Sequence, residues 1–456
     1  MYELLKKHTP QSIKNYFHFS REKIKYTLFR VKTYGTRKVF LNLLPAYAFY
    51  MISLCLSIPI AVFLYLLTPL IQIRLVRLLS ERAGHFGLNT ENMLCAFDVG
   101  VLNRRGDNHK IKYFFYTHGI VCNKQLLKMW KRVLPLLPFP IACRQIDQLL
   151  SFASFQYKKD KVKNTVESSG WVRDKLLLME RVPYPHVFFT FEEEKRAEIF
   201  LEKLGVSKNA KWVCLLVRDP LYLDKLFPID DWDYHAHRNA NIMTYKKAAL
   251  FLAEKGYTVI RMGKWAQDPF SVSHERIIDY AMHPLRSDFL DIYLSAKCCF
   301  FMSTSTGIDS VAQMFRRPIL FSNIAIPSEL QSFVSNSLFI PKKVINKNTD
   351  EYITYKTFDQ VISSPYEIHE TAKKNNFMLV DNTEDEILEA AIEMEQRITC
   401  MWIETKIDIL AQKKFFMEYP HYLNDVKDVR IKIGKCFLEQ YFKKTGIAVS
   451  CNLIEA

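Results

Sequence analysis

The chain has 456 residues, of which 49% are hydrophobic and 24% charged, and its formal net charge is +15 at pH 7. This length accommodates about two to three domains, and the composition is that of a folded protein rather than a disordered one. Only 13 glycines occur and none forms G-x-G, which excludes the Rossmann fingerprint and the Walker A loop. The ten cysteines form no C-x-x-C pair, which argues against a zinc ribbon or a thioredoxin-type site and favours a reducing compartment.

The positive charge is concentrated ahead of a long uncharged run. Residues 1–38 contain ten Lys and Arg against two Glu, a formal charge of +8. Residues 39–73 then form a run of 35 residues without any charge. A spanning helix needs about 20 apolar residues, so this run predicts a membrane segment.

The side of the membrane follows from the flanking charges. The positive-inside rule keeps the basic segment in the cytoplasm. Three arginines directly after the run favour the cytoplasm on that side too, namely Arg74, Arg77 and Arg82. Three prolines interrupt the run, at Pro45, Pro59 and Pro69. Because proline bends helices, the sequence leaves a single span and a re-entrant hairpin both open.

Residues 74–205 form a first predicted region. Its strand-like runs are "IRLVRLL" and "KIKYFFYTHGI", and helical spacing follows in "NKQLLKMWKRVLPLLP". Thr190 and Glu193 predict a capping box at the start of a last helix, and Gly205 stands where a helix-ending glycine belongs. Between the strands, Gly84 and Gly87 flank His85.

Residues 206–380 repeat a strand–helix pattern, which predicts a parallel sheet. The predicted strands lie in "KWVCLLV", "YTVIRMG", "RIIDYA", "CCFFM" and "PILF". Ligands bind outside the carboxyl ends of the strands in such sheets. One crevice could therefore collect Arg218, Asp219, Gly263 and the loop of Ser303, Thr304, Ser305, Thr306 and Gly307.

The loop 303–307 is rich in hydroxyl groups and leaves two interpretations open. It could bind an anion with its hydroxyls and the positive end of the following helix. It could instead only cap that helix, because Thr306 and Asp309 have the spacing of a capping box. The predicted strand ends around it favour ligand binding. Residues 381–456 are predicted to be helical, with Thr383 and Glu386 as another capping box.

The order of these blocks resembles a family of bacterial glycosyltransferases from surface-carbohydrate gene clusters of the capsule or O-antigen type. The matching blocks, which lie within residues 74–445, include "RAGHFGLNTE", "WVCLLVRDPLYL", "HRNANIMTY", "YTVIRMGK" and "STSTGIDSVAQMFRRPILFSN". The resemblance implies a GT-B-like α/β fold, in which two Rossmann-like domains face a cleft. Residues 74–205 would form the acceptor domain and residues 206–380 the donor nucleotide-sugar-binding domain, after a membrane segment.

The resemblance also implies roles for individual residues. Donor binding would involve Arg218, Arg238, Gly263 and residues 303–307, without a metal or other cofactor, because guanidinium groups can neutralise a leaving diphosphate. Candidate catalytic residues are His85, as a base toward the acceptor, and Asp219. The family pattern has a polar residue two positions before Arg218, where this chain has Leu216.

Each of these residues also has a structural interpretation. Arg218 could pair with a carboxylate, His85 could be structural or contact substrate, and Asp219 could contact the ribose or base or cap a turn. Arg238 and Asn239 could cap the next helix, and Asp288 and Asp291 could serve a helix N-terminus. Asn89 and Glu91 are weaker candidates for acceptor contacts. The D-W-D at residues 231–233 imitates a manganese motif but falls in a polar loop, which argues against a metal.

The predicted function is transfer of a sugar from a nucleotide-sugar to a polysaccharide or lipid-linked glycan, at the inner membrane with the catalytic domains facing the cytoplasm. The alternatives are a sugar-nucleotide epimerase or hydrolase of the same architecture, and a non-catalytic membrane scaffold in polysaccharide assembly. Nucleic acid is not an expected partner, because anionic lipid accounts for positive charge beside a membrane segment.

Overall fold

The computed structural model describes residues 36–102, 111–117, 119–153, 174, 176–226, 233–325, 330, 335–362, 368–417, 430–447 and 449. The first half contains a long helix, two strands and shorter helices. In chain order these are α1 (Thr36–Leu66), β1 (Gln72–Leu78), a π-helical turn (His85–Asn89), α2 (Thr90–Asp98), β2 (Ile111–Thr117), α3 (Lys124–Val133), α4 (Pro140–Ala153), α5 (Leu178–Arg181) and α6 (Phe191–Lys203).

The second half alternates strands and helices, as the sequence predicted. In chain order these are β3 (Trp212–Leu216), α7 (Leu221–Leu226), α8 (Lys246–Glu254), β4 (Thr258–Arg261), β5 (Ile277–Ile278), α9 (Asp288–Lys297), β6 (Phe300–Ser303), α10 (Asp309–Met314), β7 (Ile319–Ile324), β8 (Leu338–Pro341), β9 (Lys343–Asn346), α11 (Tyr355–Val361), α12 (Ile368–Lys374), β10 (Phe377–Val380), α13 (Glu384–Ile398), α14 (Lys406–Met417), β11 (Lys432–Ile433) and α15 (Lys435–Thr445).

The main sheet has seven parallel strands in the order β11-β8-β7-β6-β3-β4-β5. After β3, the chain places β4 and then β5 on one side of it, and β6 then pairs with the other side of β3. Such a reversal is the topological switch point of a doubly wound sheet, where helices on both sides leave a crevice beyond the strand ends. The predicted parallel α/β sheet is confirmed.

The first half differs from the expected second Rossmann-like sheet. Among the residues described, β1 and β2 pair there as a two-stranded parallel sheet, and a single isolated parallel bridge joins Phe115 of β2 to Leu136. Side chains from both halves, among them Phe86, Leu126, Val311 and Met314, also share one hydrophobic cluster. A pair of strands cannot bury its own hydrophobic face, so the first half uses helices α9 and α10 of the second half as part of its core.

Hydrophobic packing continues across both predicted domain boundaries, the one after residue 205 and the one after residue 380. Ala197 of α6, which we assigned to the first region, packs into the core of the seven-stranded sheet. The C-terminal segment is not only helical, because β11 adds the outermost strand and α13 to α15 pack against the same core. The capping boxes predicted at Thr190 and Thr383 are both present.

The uncharged run forms one continuous helix through two of its prolines. Helix α1 contains Pro45 and Pro59 without interruption. Within it, residues Tyr47–Leu66 form the one helix of the described residues that is long and apolar enough to cross a membrane, with mean hydropathy 2.2 and 11% of the window buried. A helix of this length and composition can also be the core helix of a soluble protein or a signal sequence.

Candidate functional site

Hydrogen bonds join the ends of the two strands that flank the switch point. Leu216 of β3 is the register partner of Ser303 of β6. Beyond them, the Thr304 amide donates to the Leu216 carbonyl at 3.3 Å, and the Arg218 amide donates to the Thr304 hydroxyl oxygen at 3.0 Å. The structure thus brings Arg218 and the loop 303–307 together, where the sequence pattern placed them.

The four hydroxyl groups of the loop have two different environments. The first pair, on Ser303 and Thr304, makes hydrogen bonds that fix the shape of the loop. Ser303 donates its hydroxyl to Asp309 Oδ2 at 2.6 Å, and Thr304 accepts the Arg218 amide. The Thr306 amide donates to the same carboxylate oxygen at 2.7 Å. The predicted capping box is only half formed, because the Thr306 hydroxyl takes no part and Ile308 is the N-cap of α10.

The second pair of hydroxyl groups, those of Ser305 and Thr306, is buried and has no hydrogen-bond partner among the residues that the structure describes. Ser305 is 2% exposed and Thr306 is 9% exposed, yet neither hydroxyl oxygen makes a hydrogen bond within the described part of the chain. A buried polar group left unsatisfied costs about 1–3 kcal/mol. Ser305 also has a left-handed backbone, with φ of +59°. Such strain clusters at ligand sites.

Arg238 reaches this loop from a neighbouring segment. Its Nη2 donates to the Ser305 carbonyl, and its buried Nε has no hydrogen-bond partner in the described structure. The backbone on either side is fixed, since the Ala240 amide donates to the Arg218 carbonyl at 3.2 Å and Lys342 Nζ donates to the Asn239 carbonyl at 3.0 Å. We predicted that Arg238 and Asn239 could cap the next helix. The cap is instead Asn241, whose side chain accepts the Met243 amide at 2.9 Å.

Asp219 and Gly263 hold the loops beside the arginines. Asp219 accepts the Leu221 amide at 3.0 Å and the Gln267 amide at 3.1 Å, so its contacts are those of a turn cap that ties two loops together. Gly263 has φ of +155°, and a Cβ there would lie 3.1 Å from the Ala281 Cβ. The Leu216 side chain lies over it, with Cδ1 3.9 Å from that Cβ position, so Leu216 has a packing role.

An aromatic pair that our sequence interpretation missed lies at the ends of the same strands. The rings of Tyr222 and Trp265 have centroids 5.6 Å apart. Lys264 Nζ lies 5.1 Å and Lys225 Nζ 5.8 Å from the Trp265 centroid. Tyr222 follows β3 and Trp265 follows β4, so an aromatic residue soon after a buried strand was the available signal. The pair offers a ring face and positive charge beyond the ends of β3 and β4.

His85 lies on the opposite side of the loop. A Cβ built on Gly84 would lie 3.2 Å from Ser310 Oγ and 3.5 Å from Gly307 Cα, so these two glycines let the two backbones approach closely. Asn89 Nδ2 lies 3.1 Å from His85 Nδ1, which leaves Nε2 as the ring nitrogen for a ligand. Burial, followed by the charge of Arg82, lowers the pKa of His85, so the imidazole is neutral near neutral pH.

Glu91 is buried in an ion-pair cluster and is not available to an acceptor. Its carboxylate, which is 0% exposed, accepts from Arg316 Nη2 at 2.7 Å and lies 3.0 Å from His186 Nδ1. Cys95 completes a geometric set of metal-ligand types with Glu91 and His186. Arg316 Nη2 also lies 3.5 Å from Cys95 Sγ, and burial strongly raises the pKa of this thiol. A cation is therefore already present, and the donor set does not fit a metal ion.

The remaining acidic candidates have structural contacts or lie outside the description. Asp288 accepts the Lys124 amide at 2.8 Å and so supports the N-terminus of α3 rather than of its own helix. Asp291 accepts from Tyr280 at 3.0 Å and Arg286 at 2.6 Å. In the D-W-D motif, Asp231 and Trp232 lie outside the described residues, as does the side chain of Asp233.

Asp309 gives the loop a predicted pH dependence. Burial raises the pKa of Asp309 from its ordinary value of 3.8 to about 6. A folded-state pKa above the unfolded one contributes stability that is complete below about pH 4 and lost as the pH rises through 6. We expect the unfolding free energy of Asp309→Asn, compared with wild type, to rise by roughly 2–3 kcal/mol from about pH 4 to pH 7.

Denaturant unfolding across this pH range measures the difference. Gln148→Ala, at an exposed side chain without a titratable group, is the control and should run parallel to wild type. A parallel profile for Asp309→Asn would contradict the assignment of a raised pKa to this carboxyl.

Comparison with known proteins finds only distant structural similarity. No family model and no curated protein matches the chain. A glycosyl transferase family 9 structure from Veillonella parvula matches with 9% identity and a TM-score of 0.40, over 71% of this chain and 97% of that one. The E. coli ADP-heptose lps heptosyltransferase II matches with 12% identity and a TM-score of 0.33, over 66% and 98%. E. coli heptosyltransferase WaaC with ADP matches with 14% identity and a TM-score of 0.28, over 67% and 99%. At these values the similarity does not by itself assign an activity to the chain.

Proposed function

We propose that the protein is a metal-independent GT-B-type glycosyltransferase that transfers a sugar from a nucleotide-sugar to a surface-polysaccharide or lipid-linked glycan. The observation that carries the proposal is the loop at the switch point of the main sheet, where two buried hydroxyl groups without a hydrogen-bond partner among the described residues adjoin Arg238. The resemblance of the sequence blocks supports it independently.

The donor diphosphate would lie against the loop 303–307. Ser305 and Thr306 supply hydroxyl donors, and Arg238 supplies a guanidinium whose Nε has no hydrogen-bond partner among the described residues. Arg218, at the end of β3, adds a second guanidinium. Charge-assisted hydrogen bonds of this kind stabilise a leaving diphosphate. The nucleotide base would stack on Trp265, beside Lys264.

The acceptor would enter from the side of His85. For the neutral imidazole to accept a proton at Nε2, its own proton must lie on Nδ1, and Asn89 must accept it through Oδ1 in the flipped orientation of its amide. In the proposed step the acceptor oxygen bonds to the anomeric carbon while the bond from that carbon to the diphosphate oxygen breaks. The acceptor proton passes to His85, and the diphosphate leaves with the electron pair. Asp219 would keep the donor loops in position through its two amide contacts.

Membrane attachment would bring the enzyme to a lipid-linked acceptor. We propose the inner membrane as its location, with the region after α1 in the cytoplasm. The uncharged run and the basic residues ahead of it support this proposal.

Acceptor dependence tests the proposed reaction. The detergent-solubilised full chain would be incubated with each nucleotide-sugar, with and without lipid-linked glycans from the encoding bacterium, and nucleoside diphosphate release measured. We expect release that requires the acceptor, and a fall in kcat of about 10²–10⁴-fold in His85→Gln with binding retained. Release without an acceptor would support the hydrolase alternative. Absence of turnover with every donor would support the scaffold alternative.

A further inference from the structure

Helix α1 is attached to helix α4 of the folded body through residues between 50 and 61. Ser53 and Ser57 of α1 donate to Gln145 Oε1 at 2.8 and 3.1 Å, and Gln145 Nε2 donates to the Tyr50 carbonyl at 3.0 Å. Ala61 of α1 continues this contact into a small hydrophobic cluster. The small residues at 53, 57 and 61 recur every four positions, which places them on one helix face and lets the two helices approach closely.

Helix α4 in turn belongs to the folded body. Asp147 accepts the hydroxyl of Tyr116, in β2, at 2.9 Å, and both side chains are buried. Ile146 and Leu150 pack in the same cluster as Leu75, in β1. Helix α4 has only 14 residues and contains Arg144 and Asp147, so it is too short and too polar to cross a bilayer itself.

This attachment leaves too little free helix for a crossing. The Tyr50 carbonyl already contacts the body, so at most residues 39–49 of the uncharged run precede the attachment. At about 1.5 Å per residue these cover roughly 16 Å, against a hydrocarbon core of about 30 Å. A perpendicular span would need α4 and the strands beneath it to enter the membrane as well. A hairpin would need a break, whereas α1 is continuous through Pro59.

The face of α1 that does not contact α4 is apolar and exposed. Ile52, Leu56 and Phe63 are 62%, 65% and 60% exposed. Beside them, at the ends of α4, Phe139 and Phe152 are 75% and 93% exposed. The segment 1–38 that precedes this surface carries a formal charge of +8, from ten Lys and Arg against two Glu, which complements anionic lipid headgroups.

We propose that α1 lies in the plane of one anionic leaflet, with its apolar face in the lipid and its Ser53–Ser57–Ala61 face on α4, so that the protein is attached to the membrane without crossing it. This refines the membrane attachment proposed above. In-plane helices insert to about 5–10 Å at the boundary between headgroups and acyl chains.

Lipid depth along the exposed face tests the orientation. A fluorescent amino acid would be incorporated at Ile52, Leu56 or Phe63 of the full chain, in vesicles of phosphatidylethanolamine and phosphatidylglycerol. Quenching by lipids with a spin label near the headgroup or near the chain end reports depth. These positions span about 16 Å of helix at 1.5 Å per residue. We expect equal, shallow quenching at all three positions, whereas depths that change steadily along the helix by that distance would overturn the proposal.

Two matched glutamine variants test whether packing against α4 sets the orientation of α1 in the membrane. Gln145→Leu removes the hydrogen bonds to α1, whereas Gln148→Leu changes an exposed glutamine of the same helix. We expect the three depths to diverge in Gln145→Leu and to stay equal in Gln148→Leu. Equal depths in both variants would overturn the role of α4. Circular dichroism checks folding, and the readout is independent of nucleotide binding and turnover, so failure here leaves the proposed reaction unaffected.

Discussion

Replacing Arg316 with alanine is expected to destabilise the protein by about 3–5 kcal/mol, the cost of removing one partner of a buried ion pair. Arg316 Nη2 donates to Glu91, to the Val182 carbonyl at 2.9 Å and to the Tyr184 carbonyl at 2.8 Å. Without the guanidinium, Glu91 would remain fully buried beside His186. The residue also keeps a left-handed backbone, with φ of +62°, which costs about 1–3 kcal/mol and is maintained by these contacts.

The neighbouring arginine provides the control. Arg317 Nε donates to the Ala296 carbonyl at 2.7 Å, and no described carboxylate pairs with it, so Arg317→Ala should cost only about 1 kcal/mol. Guanidinium unfolding of the detergent-solubilised full chain measures both variants. A loss below about 1 kcal/mol in Arg316→Ala would show that Glu91 does not depend on this cation.

Replacing Arg238 with alanine is expected to weaken nucleoside diphosphate binding by about 10- to 100-fold, with the fold unaffected. A charge-assisted hydrogen bond contributes about 1.5–3 kcal/mol, and each 1.4 kcal/mol is about tenfold in affinity. The loss combines the contact to the diphosphate with the support that Arg238 gives to the Ser305 carbonyl.

Two further substitutions separate charge from geometry. Arg238→Lys keeps the charge but not the planar fork, and should bind with intermediate affinity. Arg276→Ala removes an arginine whose side chain is 44% exposed, and should bind as wild type does. Calorimetric titration gives each affinity, and equal affinities in wild type and Arg238→Ala would place the diphosphate elsewhere.

The predicted meeting of Arg218 and the loop 303–307 followed from the alternation of strands and helices alone. Such alternation requires a parallel sheet, and parallel strands direct their carboxyl ends to one edge. The number of strands in the first half could not be obtained in this way. A run such as "IRLVRLL" fits a strand with one partner or with two, and tertiary packing against α9 and α10 decides which.

Contacts between residues far apart in the chain could not be predicted from the sequence, for a different reason. Glu91 and Arg316 are 225 positions apart, and neither lies in a pattern that marks a partner. Glu91 was therefore a candidate for acceptor contacts, although it is buried. Likewise, four hydroxyl residues in a row do not reveal which of them shape a loop. The structure distinguishes them: Ser303 donates to Asp309, whereas the hydroxyls of Ser305 and Thr306 have no hydrogen-bond partner in the described part of the chain.

Nucleotide binding by the loop at the switch point is the central claim, and thermal unfolding in the presence of UDP, GDP, CMP, ADP and TDP tests it most directly. The account predicts that one nucleotide specifically stabilises the full chain, and that Arg218→Ala or Arg238→Ala strongly reduces this stabilisation. By mass action, ligand at about 100 times its Kd adds roughly 2.7 kcal/mol. A folded protein that no nucleotide stabilises would contradict the donor site and favour a scaffold whose hydroxyl loop only supports the fold.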